Sequence, residues 1–442
     1  MNKLLKRLSP RRFSAMLTCN MSTSADENGV SGKPGYADYV KVTILGLAIS
    51  ALWSSLGSII IPLRVLDVAG ESRKNTYLGM LTFSGLVLAI IVQPLAGSFS
   101  DNTRSALGRR RPFILGGMIA VIVLLPVLGM AGSYASLILA YCLLQIASNA
   151  AHGPWQGLMP DLIPPGRRGR TSGIKGLLEV LGTVAGVQLV GFFLSDRFAG
   201  PSTSGIWLAL GVIALIILAV TLVTVLTVKE RPWGKAAYPG FRAVLYNTFR
   251  IDYKANPGFV PFLVSRFLFL MPLVVLRTFG LYMLRDYIGV PDPVATVADL
   301  TVVVGIGSIV LVYPAGRLSD RIGRRAIVTA SGVLGVVGII FIYAGHSYGA
   351  VMAGGALLGI ANGAFMSANW AMATDLVTEG SEARYLGLTN LATAGASALA
   401  NLMGPVIDFF NTMAFNLGYQ VILLSCAGFF AVSSLLMLRT SK

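Results

Sequence analysis

Charged side chains are scarce in this chain of 442 residues: 12% are Asp, Glu, Lys or Arg, whereas 55% are hydrophobic. A soluble protein has about a quarter of its residues in these charged types. Only two histidines and three cysteines are present, and their scatter forms no metal-binding or disulfide pattern. The phosphate-binding motif G-x-x-x-x-G-K-[ST] and any nucleophile–base arrangement are also lacking. We therefore predict no enzyme activity, no cofactor, no metal and no direct coupling to ATP.

Twelve apolar runs are each long enough to cross a hydrocarbon core, which takes about 20 helical residues. The sequence therefore predicts an all-α membrane protein with twelve transmembrane helices. These predicted spans cover residues 40–63, 76–99, 112–131, 134–159, 172–194, 206–228, 259–284, 294–316, 326–345, 348–377, 385–410 and 418–438.

The net charge of +16 is distributed unevenly along the chain. With both termini cytoplasmic, 27 of the 35 Lys and Arg residues lie inside and 5 lie outside. This bias is the positive-inside rule, so we expect cytoplasmic termini in a plasma membrane or bacterial inner membrane and no nucleic-acid partner. Residues 1–38 lack an apolar stretch long enough for a cleavable signal and are predicted to be a disordered basic tail. We expect a monomer in the lipid bilayer.

A basic clause occurs twice, as "SDNTRSALGRRRPF" from Ser100 and as "SDRIGRRA" from Ser319. Gly97 and Asp101 recur 219 residues later, and Asp161 and Arg170 recur 214 residues later. A shared offset of this kind indicates two homologous six-span halves. The predicted boundaries are 39–228 for the first bundle, 229–258 for a cytoplasmic linker and 259–442 for the second bundle.

The stretch "GRLSDRIGRR" from Gly316 matches the G-x-x-x-D-R-x-G-R-R signature of the major facilitator superfamily, which this chain resembles. The resemblance implies two pseudo-symmetric six-helix bundles that rock about a central binding site. Arginines at the inner mouth can bind aspartates and helix-end carbonyls, and so form a gating network that latches one conformation. The alternative is topological anchoring by positive charge alone. The candidate gating residues are Asp101, Arg109, Arg110, Asp161, Arg170, Asp320, Arg321, Arg324, Arg325, Asp375 and Arg384.

Two segments resemble the branch of sucrose–proton symporters and glycoside–cation symporters, namely "GSFSDNTRSALGRRRPFI" and "LLQIASNAAHGPWQGLMPDL". In that branch an aspartate implicated in proton coupling and an arginine implicated in substrate binding stand in the fourth span. This chain has Gln145 and Gln156 at those positions. The resemblance implies sugar transport, while the branch's own coupling pair is absent.

Polar residues inside the spans are candidate substrate ligands. Gln145, Asn149, His152 and Gln156 follow one another at steps of four, three and four, which places them on one helix face. A polar stripe faces a cavity or a neighbouring helix rather than lipid, and packing between helices is the alternative to ligand binding. The other candidate substrate ligands lie in the second half, in spans seven, ten and eleven: Arg266, Asn362, Asn369, Trp370 and Asn390.

Two further features concern charge within the membrane. Arg266 and Arg277 are eleven residues apart and point the same way from the seventh span, either toward the cavity as anion or hydroxyl ligands or toward the surfaces by snorkelling. Lys175 and Glu179 form an i,i+4 pair in the fifth span. Glu179 is the candidate proton-coupling residue, and a static ion pair is the alternative.

The sequence thus predicts a secondary active transporter for a small polar solute, with a sugar or glycoside as the expected substrate and a proton or sodium ion as the expected partner. Two alternatives stay open. One is a non-transporting assembly factor or sensor with this architecture, because the branch's charge pair is missing. The other is an uncoupled uniporter or an exporter.

Overall fold

Backbone N–H and C=O groups find no water in a bilayer core, so the apolar runs form helices that satisfy these groups internally. The computed structural model describes residues 35–103, 105–195, 204–230, 258–375 and 382–439. The first half comprises α1 Tyr36–Ala69, α2 Lys74–Asn102, α3 Arg111–Gly129, α4 Tyr134–Leu162, α5 Arg168–Leu194 and α6 Ser204–Thr227. The second half comprises α7 Phe259–Ile288, α8 Pro293–Ile322, α9 Arg324–Gly345, α10 Tyr348–Asp375, α11 Glu382–Asn401, α12 Gly404–Met413 and α13 Leu417–Arg439.

Eleven helices within the described ranges are long and apolar enough to cross a membrane. The remaining predicted span, 385–410, is divided into α11 and α12 by a break at Leu402 and Met403. Pro405 lies in the first turn of α12. Proline has no N–H to donate and is tolerated at a helix start, so it favours a new helix at this point. The all-α prediction is confirmed.

The two halves repeat the same packing. In the first half α2 packs on α4, α3 on α4 and α1 on α5, and in the second half α8 packs on α10, α9 on α10 and α7 on α11. Each pair in one half therefore has its counterpart six helices later. This correspondence is the pseudo-symmetry of two six-span bundles that the repeated clause predicts.

The halves meet along two seams, where α5 packs on α8 and where α2 packs on α11 and α12, and α1 also packs on α7. Glycines bring the second seam to backbone contact. A β-carbon at Gly79 would clash with the carbonyl group of Asn401, and one at Gly404 would clash with the carbonyl group of Asn75. Only glycine permits this approach of two main chains.

The predicted domain boundaries remain predictions. Residues 39–442 form one unit of contacts, within which the two halves are contiguous. The predicted tail lies outside the described residues up to position 34, and the predicted linker lies outside them from 231 to 257.

Candidate functional site

A cavity of about 390 Å³ lies between the halves, where α1 and α5 face α7, α8 and α10. We call it the interhalf cavity. Its wall is largely aliphatic: both halves contribute valines, and the second half adds leucines, an isoleucine and a methionine. The polar side chains in its wall are Ser54, Ser58, Thr183, Arg277, Thr301, Ser308 and Asn362.

Arg277 reaches from α7 across to the first half. Its Nη2 donates hydrogen bonds to the carbonyl oxygen of Trp53 at 3.0 Å and to Ser54 Oγ at 3.3 Å. The side chain is nevertheless exposed, because it borders the interhalf cavity. Arg277 therefore lines the cavity and does not extend to either membrane surface.

The outer part of the α4 stripe is buried against α2. Gln145 donates from Nε2 to the hydroxyl of Tyr141 at 3.1 Å and accepts from Asn149 Nδ2 at 3.0 Å. A β-carbon at Gly85 of α2 would meet Gln145 at 2.9 Å. Gln145 and Asn149 are therefore helix-packing residues in this conformation and do not border the interhalf cavity.

The inner part of the stripe is more accessible. Gln156 is exposed and accepts a hydrogen bond from Gln93 Nε2 of α2 at 3.0 Å. Its own Nε2 lies 3.1 Å from His152 Nε2, and the His152 ring stacks on Trp155 with centroids 5.4 Å apart. Gln156 and part of His152 are therefore accessible, whereas Trp155 is buried beneath them and donates from Nε1 to the carbonyl oxygen of Val42 at 2.9 Å.

Lys175 and Glu179 lie beside the same tryptophan. Lys175 Nζ lies 5.1 Å from the centroid of the Trp155 ring and 3.6 Å from Glu179 Oε1. Gly46 of α1 leaves space for Trp155 and Glu179, because a β-carbon at Gly46 would lie 3.0 Å from Trp155 and 3.1 Å from Glu179. We call His152, Trp155, Gln156, Lys175 and Glu179 the Trp155 cluster.

The second half carries an equivalent arrangement around Trp370. The guanidinium group of Arg266 lies 5.6 Å from the centroid of the Trp370 ring. It donates to Asn369 Oδ1, and from Nε to Thr393 Oγ1 at 3.1 Å. Arg266 and Asn369 are buried, whereas 40% of Trp370 is exposed. We call Arg266, Asn369, Trp370 and Thr393 the Trp370 cluster; each half thus presents an indole ring with a cation over its face.

Besides Gln145 and Asn149, two further predicted ligands lie outside these clusters. Asn362 lines the interhalf cavity and donates to Ser308 Oγ at 3.2 Å. Asn390 is exposed on α11.

The first-half gating residues form one ionic network. Arg110 is buried and binds Asp161 through Nε at 2.7 Å and Asp101 through Nη2 at 2.8 Å. It also donates to the carbonyl of Pro154 at 3.2 Å, and Arg109 pairs with Asp161 as well. The network joins α2 and α4 to the residues preceding α3, so in this conformation it braces one half internally.

Glu230 completes this network and was not among the sequence candidates. Its carboxylate accepts the backbone N–H groups of Arg109 at 2.7 Å, Arg110 at 3.0 Å and Arg111 at 2.8 Å. It thereby binds the unsatisfied donors at the N-terminus of α3, where a negative charge is favoured. The only signal in the sequence is an acidic residue directly after the sixth span in a basic segment.

The other gating candidates are placed differently. Arg170 is exposed on α5 and forms no ion pair with the described residues. At the corner between α4 and α5 it is Arg168 that donates to the carbonyls of Pro160 and Ile163. Arg324 donates to the Ala371 carbonyl of α10. Asp320 and Arg321 are exposed, and Arg325 is partly buried. The side chains of Asp375 and Arg384 lie outside the described residues.

A second ionic network, which the sequence did not predict, closes the outer end between the halves. Lys74 of α2 lies 2.5 Å from Asp286 of α7, and Arg285 lies 2.6 Å from Glu71. Burial raises the pKa of Glu71, but hydrogen bonds from Arg285 and Lys74 outweigh it and lower the pKa below its usual 4.5. Asn75 and Thr76 donate to Asp408 of α12 at 2.8 and 2.7 Å.

The two pseudo-symmetric bundles, the cavity between them and the paired basic clauses are the architecture of an α-helical membrane transporter. Residues 44–437 match the sequence profile of the MFS/sugar transport protein family, and the chain belongs to this family. The predicted fold and superfamily are thereby confirmed, as is the absence of enzyme activity expected for a transporter.

Known proteins with similar sequence or structure agree with this assignment. A sucrose transport protein of Arabidopsis thaliana is 24% identical over 244 residues, which cover 48% of this chain and 40% of that protein. The chain thus spans less than half the length of this relative. The fold matches a D-xylose–proton symporter with a TM-score of 0.69 at 15% identity over 92% of this chain and 98% of the symporter. A nucleoside transporter matches with a TM-score of 0.71 at 15% identity over 91% and 100% of the two chains.

Proposed function

We propose that this protein is a secondary active transporter that moves a sugar or glycoside by alternating access and couples its movement to protons. The observation that carries the proposal is the pair of pseudo-equivalent clusters on opposite halves, which expose the amide of Gln156 in one half and the indole ring of Trp370 in the other. An indole face suits the apolar side of a sugar ring, and amides suit its hydroxyl rim.

The conformation described here corresponds to the inward-open state of such a cycle. Hydrogen bonds between the halves run from Arg277 near mid-membrane to the network of Lys74, Asp286 and Asp408 at the outer ends. At the inner end the arginine networks bind within their own halves, and Gln156 and Trp370 are exposed. The inner side is assigned from the excess of Lys and Arg in the segments at that end.

Substrate contacts divide between the halves. We assign the sugar to the space between the Trp155 and Trp370 clusters, where Gln156, His152 and Trp370 are the accessible groups. Arg266 and Asn369 are candidate ligands that lie buried beside the Trp370 ring in this conformation. Gln145 and Asn149 support α4 from behind, and Asn362 belongs to the interhalf cavity. Asn390 is a candidate ligand on the exposed face of α11.

Proton coupling is assigned to Glu179. Its carboxylate lies next to Lys175 at 3.6 Å and is half-buried against α1. In the protonated state it no longer balances the charge of Lys175, so protonation changes the charge of the Trp155 cluster while a substrate is bound. An acid at this position takes the place of the span-four aspartate that the sucrose symporters carry and this chain lacks.

The gating role of the arginine networks is likewise a proposal. In the inward-open state Arg109 and Arg110 bind Asp101 and Asp161 within one half. Closure of the inner side would bring these arginines toward the facing half, where helix-end carbonyls accept hydrogen bonds. We place the protein in a plasma membrane or bacterial inner membrane, as a monomer with cytoplasmic termini.

Uptake into proteoliposomes tests the proposal. The full chain is reconstituted and a panel of labelled sugars and glycosides is offered with a proton gradient, with a sodium gradient and with neither. At least one compound should accumulate only with the proton gradient, and a protonophore should abolish the accumulation. Equilibration without accumulation would instead establish a uniporter, and no movement of any compound would favour a non-transporting assembly factor or sensor.

A further inference from the structure

Arg277 is a cation without an anionic partner inside the membrane. No described carboxylate lies in ion-pair contact with it, and both of its hydrogen bonds to the first half use Nη2. Its Nε and Nη1 make no hydrogen bond to the part of the chain that the structure describes. Three N–H groups of the guanidinium are therefore available to a ligand in the interhalf cavity.

Snorkelling does not account for this arginine. Arg277 lies roughly 16 Å from the outer end of α7 at 1.5 Å per residue. Its guanidinium bends to the opposite half rather than along its own helix. An unbalanced charge at this depth is costly and marks a binding function unless another group pairs with it.

The wall of the interhalf cavity does not suit a bare sugar. The residues that α5 and α7 contribute around Arg277 are mostly aliphatic, and no aromatic side chain borders the cavity among the described residues. A hydroxyl-rich ring placed there would lose hydrogen bonds to water without replacing most of them. An apolar group fits the wall, and a negative charge on that group fits Arg277.

The cavity lies outward of the proposed sugar site along the same helices, α1 and α5. Val180 and Thr183 line it and lie one and four residues beyond Glu179 on α5. On α1, Ser54 lies eight residues, or roughly 12 Å, beyond Gly46, which contacts Trp155. The residues of the Trp155 cluster do not themselves line the cavity, so a ligand that binds at both places must span roughly this distance.

We propose that the interhalf cavity binds an apolar, carboxylate-bearing aglycone, so that the transported solute is an anionic glycoside rather than a free sugar. The carboxylate accepts hydrogen bonds from the guanidinium N–H groups of Arg277 that are free of partners in the first half, and the aliphatic wall contacts the aglycone. This inference rests on the proposed function, and it specifies the part of the substrate outside the sugar ring.

Isothermal titration of the purified full-length protein tests it with two matched probes, phenyl glucoside and 4-carboxyphenyl glucoside. The charged probe should bind roughly tenfold to a hundredfold more tightly, as expected for a charge-assisted hydrogen bond in a buried site. The ratio of the two affinities should fall to about one in Arg277→Gln. The ratio should be largely retained in Arg277→Lys, which keeps the positive charge and shows that a variant at this position still folds and binds. It should also be retained in Arg73→Gln, which removes an exposed arginine outside the membrane.

Equal affinity for the two probes, or a preference that persists in Arg277→Gln, would overturn the inference. Transport of glucose or phenyl glucoside into proteoliposomes separates this failure from that of the proposed function, because movement of a neutral compound upholds sugar transport. Benzoate is the third probe: if it binds through Arg277 while neither glucoside binds, the anion site stands and the assignment to glycosides falls. No binding by any of the three would overturn both.

Discussion

Lys74 and Asp286, which belong to opposite halves, form an ion pair of 2.5 Å at the outer end of the transporter. Both side chains are largely buried, at 8% and 16% exposure. Asp286 also accepts from Arg285 at 2.7 Å and from the hydroxyl of Tyr419 at 2.9 Å. It is therefore the acceptor on which several contacts of the outer closure converge.

Asp286→Asn should release the outer closure. Loss of a charged acceptor costs about 1–3 kcal/mol, which shifts a two-state equilibrium by roughly fivefold to a hundredfold. A cysteine introduced at Ser58, in the wall of the interhalf cavity, should then react several-fold faster with a membrane-impermeant maleimide added outside. Asp67→Asn is the matched control, because Asp67 pairs with Arg64 on its own helix and its loss should leave the rate unchanged.

The lowered pKa of Glu71 predicts an acid-sensitive contribution to stability. A carboxyl whose pKa is lower in the folded state stabilises the fold above the unfolded value of about 4.5, and this contribution is lost as the pH falls through the lowered pKa. The melting temperature of the native protein should thus exceed that of Glu71→Gln at pH 6, and the difference should shrink below pH 4.5. Because 62% of the Glu71 side chain is exposed, we expect a small difference. A difference in melting temperature that grows as the pH falls would contradict the lowered pKa of Glu71.

Glu179→Gln should uncouple transport from the proton gradient. Glutamine keeps the size and hydrogen-bonding ability of the side chain but cannot release a proton. Exchange of labelled for unlabelled substrate should persist, while accumulation driven by the gradient should fall at least roughly tenfold, as expected for loss of a required proton-transfer group. Accumulation at the native level and with the native pH dependence would show that Glu179 and Lys175 form a static pair.

Glu230→Ala should destabilise the first half. The variant leaves three backbone N–H groups at the start of α3 without their acceptor, and losing a helix-capping side chain costs about 0.5–2 kcal/mol. Thermal unfolding should occur at a lower temperature, and trypsin should cleave faster near Arg109. Glu230→Gln retains an acceptor oxygen and should recover part of the loss; equal effects of the two variants would contradict a capping role.

The membrane-spanning architecture could be predicted because the bilayer imposes one secondary structure on every long apolar run. The first-half network could also be predicted, because a repeated clause fixes the spacing of Asp101 and Arg110. The break at Leu402 was not predicted, because the hydropathy of an apolar run stays high across a Gly-Pro pair and does not show that the helix ends there.

The outer network and Glu230 could not be found from sequence spacing. Lys74 and Asp286 are more than two hundred residues apart, and nothing in either local sequence indicates the other. Asn149 and Gln156 share a stripe on α4, yet Asn149 is buried and Gln156 is exposed. Helical periodicity gives the direction of a side chain, whereas the neighbouring helix decides whether a ligand can reach it.

The glycine contacts of α2 with α11 and α12 have a consequence for selectivity. Where Gly79 meets Asn401 and Gly404 meets Asn75, the closure consists of main chain against main chain. At these two points no side chain stands between the main chains that could rotate aside to open a leak. This part of the outer closure therefore opens only when whole helices separate, and discrimination between solutes is left to the cavity beneath it.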